Sequence, residues 1–336
     1  MSATASNGGG ASTGMSRSMS EVRIVDAGGP HELVTIELFD RLGYLEQMGI
    51  KALKTYVKNG AEATEILLAG RADVAIQVGF GPALAAIANG APLRIVAGSN
   101  LLTVHAIYSK DPNIRSLKDL EHRTVGVGAL GALTHQLIYA ALLKKGVDPA
   151  SVRFVSIGNS ATIFRALIGG QVDAGFGETD VFENQAHYGV HVLEDAVLWR
   201  ELPEFPNQAS FASQAALLEK RDALVRTLAA HALLYRFLHH PDSWDAYAAA
   251  WLAALPHSDP SEGRKQWLFY QRYQPFAANL LLPPAQLNYM QELNVMMKLQ
   301  RRIVAAQAVA DMSLAQDALR LIEGDRPATA QGRADA

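Results

Sequence analysis

The feature that most constrains this chain is an internal repeat spaced by about one hundred residues. Thr55-Tyr56-Val57-Lys58 reads as a strand, and Asn59 sits where a helix N-cap is wanted. Ala63, Ile66 and Leu67 follow at helical spacing, with Gly70 as the stop. Asp73-Val74-Ala75-Ile76 is the next strand, ending in Gln77-Val78-Gly79. The same series returns as Phe154-Val155-Ser156-Ile157, Asn159, Ile163, Ala166, Leu167 and Gly170. Asp173-Ala174-Gly175-Phe176 closes it, ending in Gly177-Glu178-Thr179. Strand–helix–strand units occur in many chains, but matched caps, stops and acids predict two lobes on a similar α/β plan. With right-handed crossovers, the strands deliver their carboxyl ends to a common crevice.

The flanking segments fit this plan. Val22-Arg23-Ile24-Val25 is a strand leading into Gly28-Gly29-Pro30-His31, and a helix from about Glu32 ends near Gly43. Leu93-Arg94-Ile95-Val96 is another strand, and Val104 to Tyr108 carries the chain out of the first lobe. Ser116 to Leu120 is a short helix and Thr124 to Val127 a strand of the second lobe, while Gln208 to Ser213 leads back. From about Gln214 to Leu321 the pattern is mostly helical, interrupted by Pro241, Pro256, Pro260, Pro275 and Pro283-Pro284. The first lobe's sheet is the expected platform for these helices. The expected organisation is a disordered leader over 1–20, lobe 1 over 21–106 plus 209–323, lobe 2 over 107–208, and a loose tail over 324–336.

Composition narrows the functions. The length of 336 residues suits two domains, and a net charge of −3 gives no basic field for nucleic acid. Cysteine is absent, which excludes disulfides, thiolate metal sites, iron–sulfur clusters and a cysteine nucleophile. No run reaches the roughly 18 apolar residues of a membrane span. The first twenty residues also lack the apolar stretch of a secretory signal, so a complete native chain of this sequence is expected in the cytoplasm.

Gly126-Val127-Gly128-Ala129-Leu130-Gly131 matches G-x-G-x-x-G between a strand and a helix. A dinucleotide site also needs an acid at the end of the following strand, and that strand ends in Gly158-Asn159. No cofactor is expected, although backbone N–H groups near Leu130 to Thr134 suit an anion or a ligand carbonyl. His187 with His191, and His239 with His240, read as structural or surface histidines, so no metal is expected. Glu178, Asp180 and Glu183 read as an acid–base site or, more simply, as a helix N-terminal charge set. Arg301-Arg302 reads as a solvated helix face, and no nucleophile elbow, Walker loop or H-E-x-x-H occurs.

Gly43-Tyr44-Leu45-Glu46-Gln47-Met48-Gly49, Leu68 to Ala75 and Ser116 to Leu120 resemble the substrate-binding proteins of ABC importers. The resemblance is to the branch handling nitrate, taurine, aliphatic sulfonates and thiamin-precursor pyrimidines, and it runs from about Val22 to Ala250. It implies a type II periplasmic-binding-protein fold: two α/β lobes, two connecting segments, and a ligand enclosed by hinge motion. It also implies a pocket on the loops after strands, formed here by Gly29, Pro30 and His31; Gln77, Gly79 and Phe80; and Ser99 and Asn100. Leu130, Gly131 and Thr134, then Asn159, Ser160 and Thr162, and finally Glu178 complete the set. His31, Gln77, Asn159 and Ser160 are expected to offer hydrogen bonds, and Phe80 an aromatic wall.

The resemblance implies a periplasmic monomer that passes a small organic ligand (a sulfonate, a pyrimidine or related heterocycle, or an aromatic acid) to a membrane permease. Glu178 in the pocket favours an N–H-bearing heterocycle over a doubly anionic ligand. Enzymes also share this fold, and the alternative is a cytosolic sensor or enzyme, such as a lyase or decarboxylase using His31 and Glu178. The thiamin-pyrimidine synthase branch needs a histidine where Pro82 stands, and cysteines that this chain lacks.

Overall fold

The computed structural model describes residues 19–324, so the expected leader and tail lie outside the described residues except at their inner ends. In chain order the strands are β1 (Ser20–Ala27), β2 (Ile50–Val57), β3 (Val74–Val78), β4 (Leu93–Gly98) and β5 (Ala106–Ser109). There follow β6 (Thr124–Val127), β7 (Arg153–Ser156), β8 (Ala174–Gly177), β9 (His191–Val197) and β10 (Ala209–Ser213). They form two five-stranded mixed sheets, ordered β2-β1-β3-β10-β4 and β7-β6-β8-β5-β9.

The two orders are the same pattern. In each sheet the fourth strand runs antiparallel to the third, and it is the strand supplied by the chain as it crosses between lobes. The sequence repeat becomes β2 with β3 in one lobe and β7 with β8 in the other. Its helices, Gly60–Leu68 and Ser160–Ile168, are each capped by an asparagine side chain and each followed by a left-handed glycine. Those glycines, Gly70 (φ 67°) and Gly170 (φ 70°), adopt a conformation that a Cβ would penalise.

The repeated aspartates explain the repeat physically. Asp73 accepts the backbone N–H of Arg23 at 2.8 Å, and Asp173 accepts that of Thr124 at 2.7 Å. In return the Asp73 N–H donates to the Arg23 carbonyl and the Asp173 N–H to the Thr124 carbonyl. Each acid therefore clamps the start of one central strand to its neighbour. Asp73 carries more charge partners: the Arg23 guanidinium at 2.6 Å and Lys220 at 2.8 Å. Burial works against its ionisation, but these bonds prevail and hold its carboxyl below the usual range.

Two segments, 99–105 and 198–208, connect the lobes, and they touch where they meet the first lobe. Gln208 donates its backbone N–H to Asn100 at 2.7 Å, and Ser99 donates to Gln208 at 3.2 Å. The C-terminal helices pack mainly on the first lobe. Arg221–His239 lies on β1 and β2, Trp244–Ala254 on the Pro30–Leu42 helix, and Ser313–Glu323 on β4. The Pro260–Tyr273 helix reaches across to the Thr179–Glu183 helix of the second lobe.

Replacing Asp73 by Ala strands the buried Arg23 N–H and is expected to cost about 2–3 kcal/mol in urea denaturation. Asp173→Ala, which removes the same backbone bond without cationic partners, is expected to cost about 1–2 kcal/mol. Equal losses at both sites would show that the Arg23 and Lys220 contacts contribute nothing.

Candidate functional site

The carboxyl ends of β1, β2 and β3 face those of β6, β7 and β8, and the space between them is a narrow cleft, partly open to solvent. Matched positions line its two sides. Gly28 with Gly128, Asn59 with Asn159 and Gly60 with Ser160 are the matched pairs, while Gly79 stands on the first side and Glu178 on the second. The lobes are shut tightly against each other. A Cβ on Gly79 would lie 3.0 Å from Leu133 across the cleft, and one on Gly81 would strike Gln136 at 2.1 Å. Glycine at these positions permits closure.

Helix starts converge on this space, namely Pro30–Leu42, Gly60–Leu68, Leu133–Lys144 and Ser160–Ile168. Asn59 and Asn159 cap two of them, and Glu32 turns back to accept the Gly29 N–H at 2.7 Å. The Leu133–Lys144 helix has no side-chain cap, which leaves donors at Leu133 and Thr134 for a ligand.

Among the described residues, an ion pair joins the lobes. His31 Nδ1, in the first turn of the Pro30–Leu42 helix, lies 2.5 Å from Glu178 Oε2 at the end of β8. Burial alone favours neutral forms of both groups, but each charge stabilises the other. His31 is therefore held high, at about 10, and Glu178 low, at about 2. A relay of donors supports the carboxylate. The His105 backbone N–H donates to Thr103 Oγ1 at 3.3 Å, and with the imidazole protonated on Nε2 toward Ser160 the Thr103 hydroxyl donates to His105 Nδ1 at 2.8 Å. His105 Nε2–H then donates to Ser160 Oγ at 2.9 Å, and the Ser160 hydroxyl donates to Glu178. Burial lowers the pKa of His105, so it serves in this relay as neutral imidazole. Glu32 is a second, half-buried acid, pushed up to about 7 by desolvation and then by the Glu178 charge.

Of the residues expected from sequence, Gly29, Gly79, Thr134, Asn159, Ser160 and Glu178 line the cleft. Pro30 and His31 face an adjoining space that also touches Ser160 and Glu178. Thr162 completes the Asn159 cap, and Gly131 packs on Leu299 behind the loop. Leu130 points outward at 63% exposure.

Four others are placed away from the cleft lining. Gln77 has a positive φ of 55° and faces a small cavity with Asp26, Lys54 and His231. Phe80 is 1% exposed in the core as the N-cap of the Gly81–Ala88 helix. Ser99 is consumed by Ser210 at 2.9 Å, and Asn100 caps its own turn through Leu102.

Sequence reading missed Glu32, Lys58, His105 and Gln208 in the cleft. The repeat held the signal for Lys58, since it adjoins Asn59. His105 and Gln208 lie on the connecting segments, which necessarily border any space between lobes. Among the described residues no His, Asp and Glu cluster suits a metal, and no helix is long and apolar enough to cross a membrane.

The family described as NMT1/THI5 like matches residues 38–243. The fold is similar to the alkanesulfonate-binding protein SsuA from Xanthomonas axonopodis pv. citri bound to MOPS: TM-score 0.71 and 17% identity, covering 87% of this chain and 98% of that one. The periplasmic aliphatic sulphonate binding protein SsuA from Escherichia coli gives 0.67 at 17% identity, covering 87% and 92%. The periplasmic nitrate-binding protein NrtA from Synechocystis PCC 6803 gives 0.71 at 11% identity, covering 91% and 89%. No curated protein sequence matches the chain.

The ion pair has a signed pH dependence. His31, raised from 6.5, contributes stability that is complete below that value and fades as pH climbs toward about 10. Glu178, lowered from 4.5, contributes stability that is complete above that value and fades toward about 2. Glu178→Gln leaves a buried imidazolium alone and is expected to cost about 3–5 kcal/mol at pH 6. The double variant His31→Gln, Glu178→Gln is expected to recover most of that loss in the same denaturation measurement. Absence of recovery would contradict direct pairing.

Proposed function

The chain belongs to the NMT1/THI5-like family, and from that premise we propose that it is the capture component of an ABC importer. It encloses one small organic molecule between its lobes and presents it to a membrane permease, acting as a monomer in the periplasm. The observation that carries this reading is the His31–Glu178 pair, which spans a glycine-lined cleft between two lobes joined by two thin connections. Such an arrangement closes on a ligand and opens by hinge rotation.

The polar groups favour capture over turnover. Glu178 is paired with His31 and held at about 2, which makes it too weak a base to take a proton from Ser160 and activate it as a nucleophile. The free donors at Leu133 and Thr134 suit an oxygen-bearing group such as a sulfonate, a carboxylate or a ring carbonyl. Gln208 Oε1 is buried without a partner, which offers an acceptor to a ligand N–H. One oxygen-rich end and one N–H therefore fit the cleft better than two anionic groups, because Glu32 gains charge beside the second.

Native mass spectrometry and calorimetry test this directly: the bound molecule is expected to be released unchanged. Its conversion to a product would refute capture without chemistry. Ala129→Phe fills the cleft and is expected to weaken binding by about a hundredfold, several contacts' worth of free energy, at unchanged melting temperature. For a ligand carrying one sulfonate or carboxylate, affinity is expected to fall between pH 6 and 8.5 as Glu32 ionises through about 7. In Glu32→Gln that fall is expected to vanish, and its persistence would exclude Glu32 as the cause.

A further inference from the structure

Ser160 and Glu178 also line a second space, partly open to solvent, which the capture reading leaves unused. Its apolar walls include Trp251, Phe164 and Leu255, and its charged groups beyond the His31–Glu178 pair are Asp180, Glu262 and Arg165. Trp251 is 1% exposed, with its ring centroid 5.5 Å from that of His31, and its Nε1 has no hydrogen-bond partner. A buried donor without an acceptor is uncommon in a folded protein. Gly263 seats the indole there, since a Cβ at that position would meet the ring at 2.7 Å.

The two acids come from different parts of the chain, Asp180 from the Thr179–Glu183 helix and Glu262 from Pro260–Tyr273. Each lies in the first turn of its helix, where the dipole favours a carboxylate. That accounts for each one singly and does not explain why both face one aromatic cavity. Burial, and then the Asp180 charge, raise the pKa of Glu262. Its side chain is met by Tyr188 at 3.4 Å, a hydroxyl that brings no positive charge. His31 pairs with Glu178, and its charge also reaches Asp180 and Glu262, while Arg165 is exposed; against these two cations the space sets three carboxylates. The cavity is thus acidic, aromatic and short of a cation.

We propose that this compartment is a second binding site, for an organic ammonium ion whose apolar body lies on Trp251 and Phe164 and whose charge lies between Asp180 and Glu262. The cation relieves the repulsion between the acids and meets the faces of the aromatic rings. The site is independent of what the cleft captures, because its recognition groups lie outside the cleft lining.

Calorimetry on the full chain at low ionic strength, with phenethylammonium chloride as the probe, tests the proposal. Saturable binding is expected, at least about tenfold tighter than for phenethyl alcohol, the scale of a desolvated cation–aromatic contact. Phenylacetate is expected not to bind at this site. Glu262→Gln and Asp180→Asn are each expected to weaken the ammonium by about tenfold, the effect of losing one charge partner in a partly buried site. Equal melting temperatures identify that loss as local. Phe164→Ala is expected to weaken both probes, so it reports on the wall if either acid variant fails to fold. Ala129→Phe is expected to bind the ammonium normally, so a protein whose cleft captures nothing still gives a clear answer here. No binding of the ammonium, equal binding of the alcohol, or indifference to both acid substitutions would each overturn the proposal.

Discussion

A buried carboxylate must be compensated, and the cleft is organised around the compensation of Glu178. The group sits at the end of β8 with little access to water, where an isolated charge is strongly unfavourable. Two sources meet the demand. Within the second lobe and its connection, the donors running from Thr103 through His105 to Ser160 end on the carboxylate. From the other lobe comes His31, which provides the opposite charge. The first source is local to one side, and the second exists only when the lobes are together. The charge of Glu178 therefore couples a local network to the closed arrangement of the whole molecule.

That coupling is possible because the two sheets share one topology. A strand order reversing beside β1 in one lobe and beside β6 in the other opens a crevice at the same end of each sheet. The antiparallel strands β10 and β5 place the connecting segments beside those crevices, so His105 and Gln208 border the ligand space as a consequence of connectivity. Glycines at the strand ends let the backbones approach, and helix starts bring N–H groups inward. The C-terminal helices then add Trp251 and Glu262, which gives the closed molecule a second, chemically different space beside the first.

Particular residues show how far the sequence could be read. Asn59 with Asn159, and Asp73 with Asp173, were legible because caps and strand clamps are local devices tied to fixed offsets along the chain. Glu178 and Ser160 were legible for the same reason, as they follow a strand whose end was marked. Gln77 shared those credentials, yet a positive φ turned it toward Lys54 and His231 instead. Phe80 was claimed by the core at the start of its helix. Ser99 and Asn100 were taken up in holding the lobe connections together, through Ser210, Leu102 and Gln208.

The sequence by itself determined the two-lobed α/β plan, the strand ends that build the cleft, and the absence of cysteine chemistry. These depend on periodicity, capping and composition, which act over a few residues or over the chain as a whole. The tertiary structure alone decided that His31 meets Glu178, that Trp251 and Glu262 join them, and which polar side chains remain unspent. Those relations are set by distances of a few ångströms between segments more than seventy residues apart. No local pattern encodes them, because the pairing energy appears only after both lobes and the C-terminal helices have packed.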